Sequence, residues 1–200
     1  MTAYHDHGAD RAPSGLAEEH APPLLLRQRI DAALLPTFDS KTVRRQLKDA
    51  PKLKLAELGA RVYKQIRFLA QDTRGEPDVD VLHVHRRLIA GLPGQALFVA
   101  AALAFDTLGE ALPYFDMTPK TAWLKLDGAL STAQGEQAMR LGRAAVLAAA
   151  VLGSHEPGRR YLRTPNFALG GVTPLELLRT AEGEQMVLSE LQTQADGGPV

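Results

Sequence analysis

The residues most able to do chemistry gather in the last fifth of the chain. Arg159, Arg160 and Arg163 make a short basic segment, and Asn166 and Gly170-Gly171 follow in a turn-rich stretch, RTPNFALGGVTPLELL, from Arg163 to Leu178. Glu182 and Glu184 then open an acidic final segment. The arginines either anchor a partner or cap the carbonyls of a preceding helix. Asn166 either caps its own turn or reaches a partner. Farther back, Lys120, Thr121 and Lys125 are the polar residues of a short helix, TPKTAWLKL, where two cations suit phosphate contact better than base reading. No G-x-S-x-G, P-loop, G-x-G-x-x-G or H-E-x-x-H pattern occurs. The chemistry on offer is recognition, not catalysis, and no cofactor is expected.

Metal binding is not expected either. The chain has no cysteine, His5 and His7 fall short of the four ligands of a structural site, and His83 and His85 are too close in sequence to share a helical face.

Helical signals position these groups. Thr173 is placed as an N-cap, with Pro174 at the first helical position and Glu176 completing a capping box. Pro165 pushes Thr164 out of the α region, and the glycine pair admits backbone angles closed to other residues. Thr180 is placed to cap a last helix from about Ala181 to Gln192. Ser131 and Gln134 form another capping box, opening a long helix to about Leu152, with Gly153 as its stop. The run Ala144 to Leu152 is apolar on all sides and is expected either at the centre of the core or shared with a second subunit. His155 to Gly158 reads as a turn and Arg159 to Arg163 as a short basic helix.

Upstream, Thr107 and Glu110 open a short helix to about Phe115, and Thr118-Pro119 opens another to about Leu126. Two short helices with a tight turn between them read as a helix-turn-helix, packed through Leu112, Phe115, Met117 and Ala122. Trp123 reads as a core or dimer-interface residue. Gln95 to Phe105 is an almost wholly apolar helix, and Val81 to Ala90 precedes it with Gly91 as its stop. Leu55 to Gln71 is amphipathic, with Arg61, Lys64 and Arg67 on its polar face. Short helices are expected over Leu24–Leu35 and Lys41–Asp49, and a polar break over Asp72–Asp80. Residues 1–23 lack periodicity and read as a disordered arm. The fold class is therefore all-α.

Composition sets outer bounds. Two hundred residues with 45% hydrophobic content suffice for one domain with an extension. No signal-peptide pattern and no bilayer-length apolar run occurs, so a cytoplasmic protein without membrane contact is expected. Net charge is zero but uneven. Lys41 to Arg67 carries nine basic residues against Asp49 and Glu57, whereas Thr164 to Val200 carries five acids against Arg179. Two charged surfaces for two kinds of partner follow, or two solvated helical faces.

From Thr118 to Val200 the chain resembles the Xre/MbcA/ParS antitoxin family. The resemblance is strongest at Thr164-Pro165-Asn166, Ala168-Leu169-Gly170-Gly171 and Thr173-Pro174-Leu175, weaker over Val81–Leu130 and absent over Met1–Asp80. It implies an N-terminal helical extension over 24–80, an Xre-like helix-turn-helix and dimerisation domain over 81–153, and a toxin-binding domain over 154–200. It also implies a homodimer inside a toxin–antitoxin complex with a RES-domain toxin that consumes NAD, its NAD pocket blocked by the C-terminal domain. Arg159, Arg160, Arg163, Asn166, Gly170, Gly171, Glu182 and Glu184 would then be toxin-binding residues. Lys120, Thr121 and Lys125 would contact operator DNA if the chain represses its own operon. The competing reading is a helix-turn-helix repressor with no toxin partner, supported by the basic segment.

Overall fold

The computed structural model describes residues 30, 31, 34 and 35, 55–72 and 81–197. The expectations for the arm, the Lys41–Asp49 helix and the Asp72–Asp80 break fall almost wholly outside these residues, as does the side chain of Trp123. Every regular element among the described residues is helical, so the chain is all-α. The helices are α1 (Leu55–Asp72), α2 (Val81–Ala90), α3 (Gln95–Ala104), α4 (Leu108–Tyr114), α5 (Pro119–Lys125), α6 (Thr132–Val151), α7 (His155–Arg163), α8 (Pro174–Leu177) and α9 (Ala181–Ala195). A 3₁₀ turn, Phe167–Leu169, lies between α7 and α8.

Side-chain caps set most of the helix starts. Thr107 accepts from the Glu110 amide at 3.3 Å and Thr118 from the Thr121 amide at 3.2 Å. Ser131 with Gln134, and Thr173 with Glu176, form complete capping boxes. Thr180 accepts from the Gly183 amide at 3.0 Å. These bonds satisfy amides that have no carbonyl one turn back.

One boundary departs from expectation. His155 to Gly158 is not a turn but the first turn of α7. Pro157 is compatible with it, because the first-turn amide that proline lacks has no intrahelical partner anyway. Packing selects the helix. A Cβ on Gly158 would meet the Ala149 backbone nitrogen at 2.7 Å, so only glycine lets α7 cross α6 this closely.

The core forms around α6 and α3. All ten residues of α3 are buried, and α3 packs against α1 and α6. Around α6 lie α2, α3, α7 and α9. The apolar run of α6 is covered from within the chain over Ala144–Ala149, while Ala150 is exposed. Leu34 packs onto Gly142 of the same helix. One hydrophobic cluster runs from Ile30 to Leu191 and crosses the expected boundary at 153/154 without a break. Leu112, Phe115, Met117 and Ala122 are all buried where α4 and α5 meet, and Asp116, in the turn between them, has φ 51°. No single helix among the described residues is long and apolar enough to cross a membrane.

Candidate functional site

The C-terminal motif becomes a rigid hairpin of backbone standing on α7 and α9. Asn166 closes it. Its Oδ1 accepts from the Ala168 amide at 2.9 Å, and its carbonyl accepts from the Leu169 and Gly171 amides at 3.1 and 2.9 Å. Its own amide donates to the Val172 carbonyl at 3.1 Å. Its Nδ2 donates to Glu190 Oε1 at 3.1 Å, tying the turn to α9. Asn166 is thus a turn cap. Gly170 and Gly171 reverse the chain at φ 76° and 80°, the left-handed region that disfavours a side chain, and both are exposed. Leu169 is buried beneath the turn.

Phe167, at the tip, points the other way. It is 98% exposed, with exposed Ala168 beside it and Val172 at 38%. A large aromatic this bare is unusual on a folded chain, because aromatic residues bury more apolar area than almost any others.

The arginines of α7 divide by face. Arg159 and Arg163 are one turn apart and converge on Asp106, the corner between α3 and α4. Arg159 is 1% exposed and also lies 3.7 Å from Glu156. Arg163 is half-buried, 2.5 Å from Asp106 and 3.4 Å from Glu110. These two hold α7 against the α3–α4 corner, and neither caps a carbonyl of α6 in the hydrogen bonds seen. Burial would raise the Asp106 carboxyl, but the Arg163 hydrogen bond and the charges of Arg159 and Arg163 outweigh it and hold its pKa below the usual value. Arg160, on the opposite face, is exposed.

The acidic final segment resolves similarly. Glu184, Val187 and Leu191 form the inward stripe of α9. Glu184 is 3% exposed and accepts from Arg143 Nε at 2.6 Å, while Arg143 Nη1 reaches Asp31 at 3.0 Å. Glu190 is half-buried, accepting from the Tyr161 hydroxyl, Asn166 and Gln194. Burial first, then the Glu190 hydrogen bond, pushes the Tyr161 hydroxyl far above its ordinary pKa. Glu182 stays exposed. The expected acidic face is therefore not continuous, because helical periodicity turns Glu184 into the core.

A cavity of about 360 Å³ lies where α1 meets the start of α7, lined by Tyr63, Lys64, Ser154, His155, Glu156 and Arg159 among others. His155 stacks on Tyr63 with ring centroids 5.8 Å apart. Neither of its ring nitrogens has a hydrogen-bond partner among the described residues. Burial, reinforced by the Arg159 charge, lowers its pKa to about 4.

On the α5 side, Lys120 and Thr121 are exposed, and Lys125 is partly occupied by a 3.1 Å bond to the Ala129 carbonyl. The Thr121 hydroxyl lies 2.9 Å from that of Thr118. Lys120 is the most open of the three for an outside phosphate.

The structure thus brings Arg159, Arg163 and Glu184 into internal ion pairs, places Asn166, Gly170 and Gly171 in the turn, and leaves Arg160 and Glu182 exposed on α7 and α9. Phe167 escaped sequence reasoning, because a lone aromatic between Asn166 and Ala168 reads as ordinary packing.

Residues 147–197 match the family model for the antitoxin Xre/MbcA/ParS C-terminal toxin-binding domain. That span begins inside α6 and takes in α7, the Phe167 turn, α8 and α9. No curated protein and no solved structure matches the chain. The resemblance drawn from the motif is borne out over this C-terminal part, where the chain is similar to the toxin-binding domain of Xre/MbcA/ParS antitoxins.

Proposed function

We propose that this protein is an antitoxin that binds a NAD-consuming RES-domain toxin through its C-terminal domain, residues 154–200, and neutralises it by blocking its NAD pocket. The observation that carries the reading is the match of residues 147–197 to a toxin-binding domain. The surface around the turn supports it, since a rigid loop with bare backbone and an exposed aromatic suits a concave partner. A pocket that takes a dinucleotide pyrophosphate is electropositive, and exposed Glu182 suits its rim. Asn166 and the Gly170-Gly171 pair shape the contact loop, Arg160 contributes an outward cation, and Arg159, Arg163 and Glu184 hold the elements that present it.

The protein acts by occupancy, with no reaction of its own. The α4–α5 pair serves as an Xre-like helix-turn-helix in a homodimer, with Lys120, Thr121 and Lys125 near operator phosphates. With so few cations on α5, binding there would be weak and salt-sensitive. Lys41 to Arg67 supplies further positive charge.

Co-expression with a RES-domain toxin, sought first in the neighbouring reading frame, tests the reading. The expected outcome is rescued growth, co-purification of the two chains, and loss of NAD turnover by the toxin in the purified complex. A toxin that keeps consuming NAD with the full chain present in excess overturns it. Sequence-specific DNA binding with no toxin association would establish the repressor reading instead.

A further inference from the structure

We infer that Phe167 is the anchor of the toxin complex: its ring enters an apolar pocket on the toxin, and the Asn166 turn is built to hold it out in advance. This rests on the toxin-binding reading above and names the residue that carries most of the contact.

Three observations support it. First, the ring is 98% exposed, so it contributes almost nothing to the core, and removing it should leave the fold intact. An aromatic in that state is available for burial against another surface, where such side chains dominate interface energetics. Second, the turn beneath it is tied down. Asn166 bonds to Ala168, Leu169, Gly171, Val172 and Glu190, and Leu169 is buried under the tip. A side chain presented on a fixed loop loses less freedom on binding than one on a floppy segment. Third, the ground around the ring is low. Gly170 and Gly171 have nothing within 4 Å of where a Cβ would stand, and Ala168 is the small neighbour on the other side. Partner atoms can close around the ring without meeting bulky side chains, as an excluded-water contact requires.

Other exposed apolar residues lack this combination. Val81, Leu82 and Ile89 are exposed on α2, and Leu124 on α5, but all lie outside the toxin-binding span, and nothing shows what covers them. Met186 lies within the span, at 49% exposure, on the face of α9 away from Glu184 and Val187, and it adds apolar area without a rigid turn to aim it.

The test measures toxin affinity of the full chain and of the variants Phe167→Ala, Phe167→Asp, Phe167→Tyr and Asn166→Ala, by calorimetry or biolayer interferometry with the purified RES-domain protein. Loss of a hot-spot aromatic weakens a complex by roughly 30-fold or more. Phe167→Ala is expected to reach that loss, Phe167→Asp to exceed it, and Phe167→Tyr to retain most of the affinity. Asn166→Ala, which keeps the ring but frees the turn, is expected to weaken binding to a smaller degree. Circular dichroism and thermal melts of the three Phe167 variants should match those of the unaltered chain. If the unaltered chain binds the toxin and Phe167→Ala binds within about twofold of it, the anchor is elsewhere and this inference alone falls. If the unaltered chain does not bind, the toxin reading falls with it. If Phe167→Asp instead splits a dimer of this chain and leaves toxin binding unchanged, the ring serves self-association and the inference is overturned.

Discussion

His155 and Asp106 show how single residues couple α7 to the rest of the molecule. His155 is buried beside Tyr63 and Arg159, and its pKa of about 4 lies below the unfolded value of 6.5. As pH falls, the unfolded chain takes up its proton first, so stability held above pH 6.5 declines between 6.5 and 4. His155→Phe, which keeps the stack on Tyr63, should flatten that part of a stability–pH profile measured by urea unfolding. An unchanged slope would show that other groups set it. Asp106 has the same sense at lower pH. Its depressed pKa makes its contribution complete above the ordinary carboxylate value of 3.8, and lost as pH falls below it. Asp106→Ala leaves Arg159, 1% exposed, with the more distant Glu156 as its remaining carboxylate among the described residues. A loss of about 1–3 kcal/mol in unfolding free energy is expected, the cost of a stranded buried donor.

At the scale of elements, α8 and α9 depend on capping and close approach more than on helix propensity. Four residues of α8 cannot hold a helix alone. Thr173 and Glu176 satisfy its start, and Tyr114 and Arg140 both donate to the Leu178 carbonyl at its end, at 3.2 and 3.1 Å. Arg179 then lies over the Tyr114 ring, 5.6 Å from its centroid. Thr173→Ala should cost about 1 kcal/mol, the usual loss for an N-cap hydroxyl, read as a lowered unfolding midpoint. Gly183 has a different task. A Cβ there would meet the Leu177 carbonyl oxygen at 1.9 Å, so glycine at this position lets α9 start directly against α8. Gly183→Ala should be the more damaging change, with a melting temperature lowered further than by Thr173→Ala. Equal shifts would mean that the chain relaxes around the added methyl.

For the whole molecule, the decisive feature is that the span similar to the toxin-binding domain shares its core with the rest of the described residues. Its helices close over α6, which also packs against α2 and α3. Arg143 of α6 sits 7% exposed between Glu184 of α9 and Asp31 of the N-terminal region. Burial would depress the Arg143 guanidinium, but the Glu184 hydrogen bond and the Asp31 charge raise it. One cation thereby joins the two ends of the chain. Arg143→Met would leave two carboxylates buried without that cation, and a loss of about 3–5 kcal/mol is expected from removing one partner of such a group. Protease sensitivity should increase both before α1 and in α9. Cleavage confined to one end would separate the two halves energetically and contradict the coupling.

Local signals in the sequence determined where helices begin and stop. Thr107, Thr118, Ser131, Thr173 and Thr180 cap as hydroxyls do, and Gly91, Gly153, Gly170 and Gly171 take positive φ where turns were expected. Those effects act within one helical turn, so they can be read from neighbouring residues alone. The toxin-binding motif was legible for the same reason, as a local run of turn and capping residues. Tertiary structure decided the rest. Asp106 pairs with Arg159 across 53 residues, and Asp31 with Arg143 across 112. Sequence periodicity shows which charges share a face but not which carboxylate comes to meet them. The same limit hid Phe167. An aromatic side chain is expected inside, and only the hydrogen bonds of Asn166, with Leu169 buried below, turn this one out toward solvent.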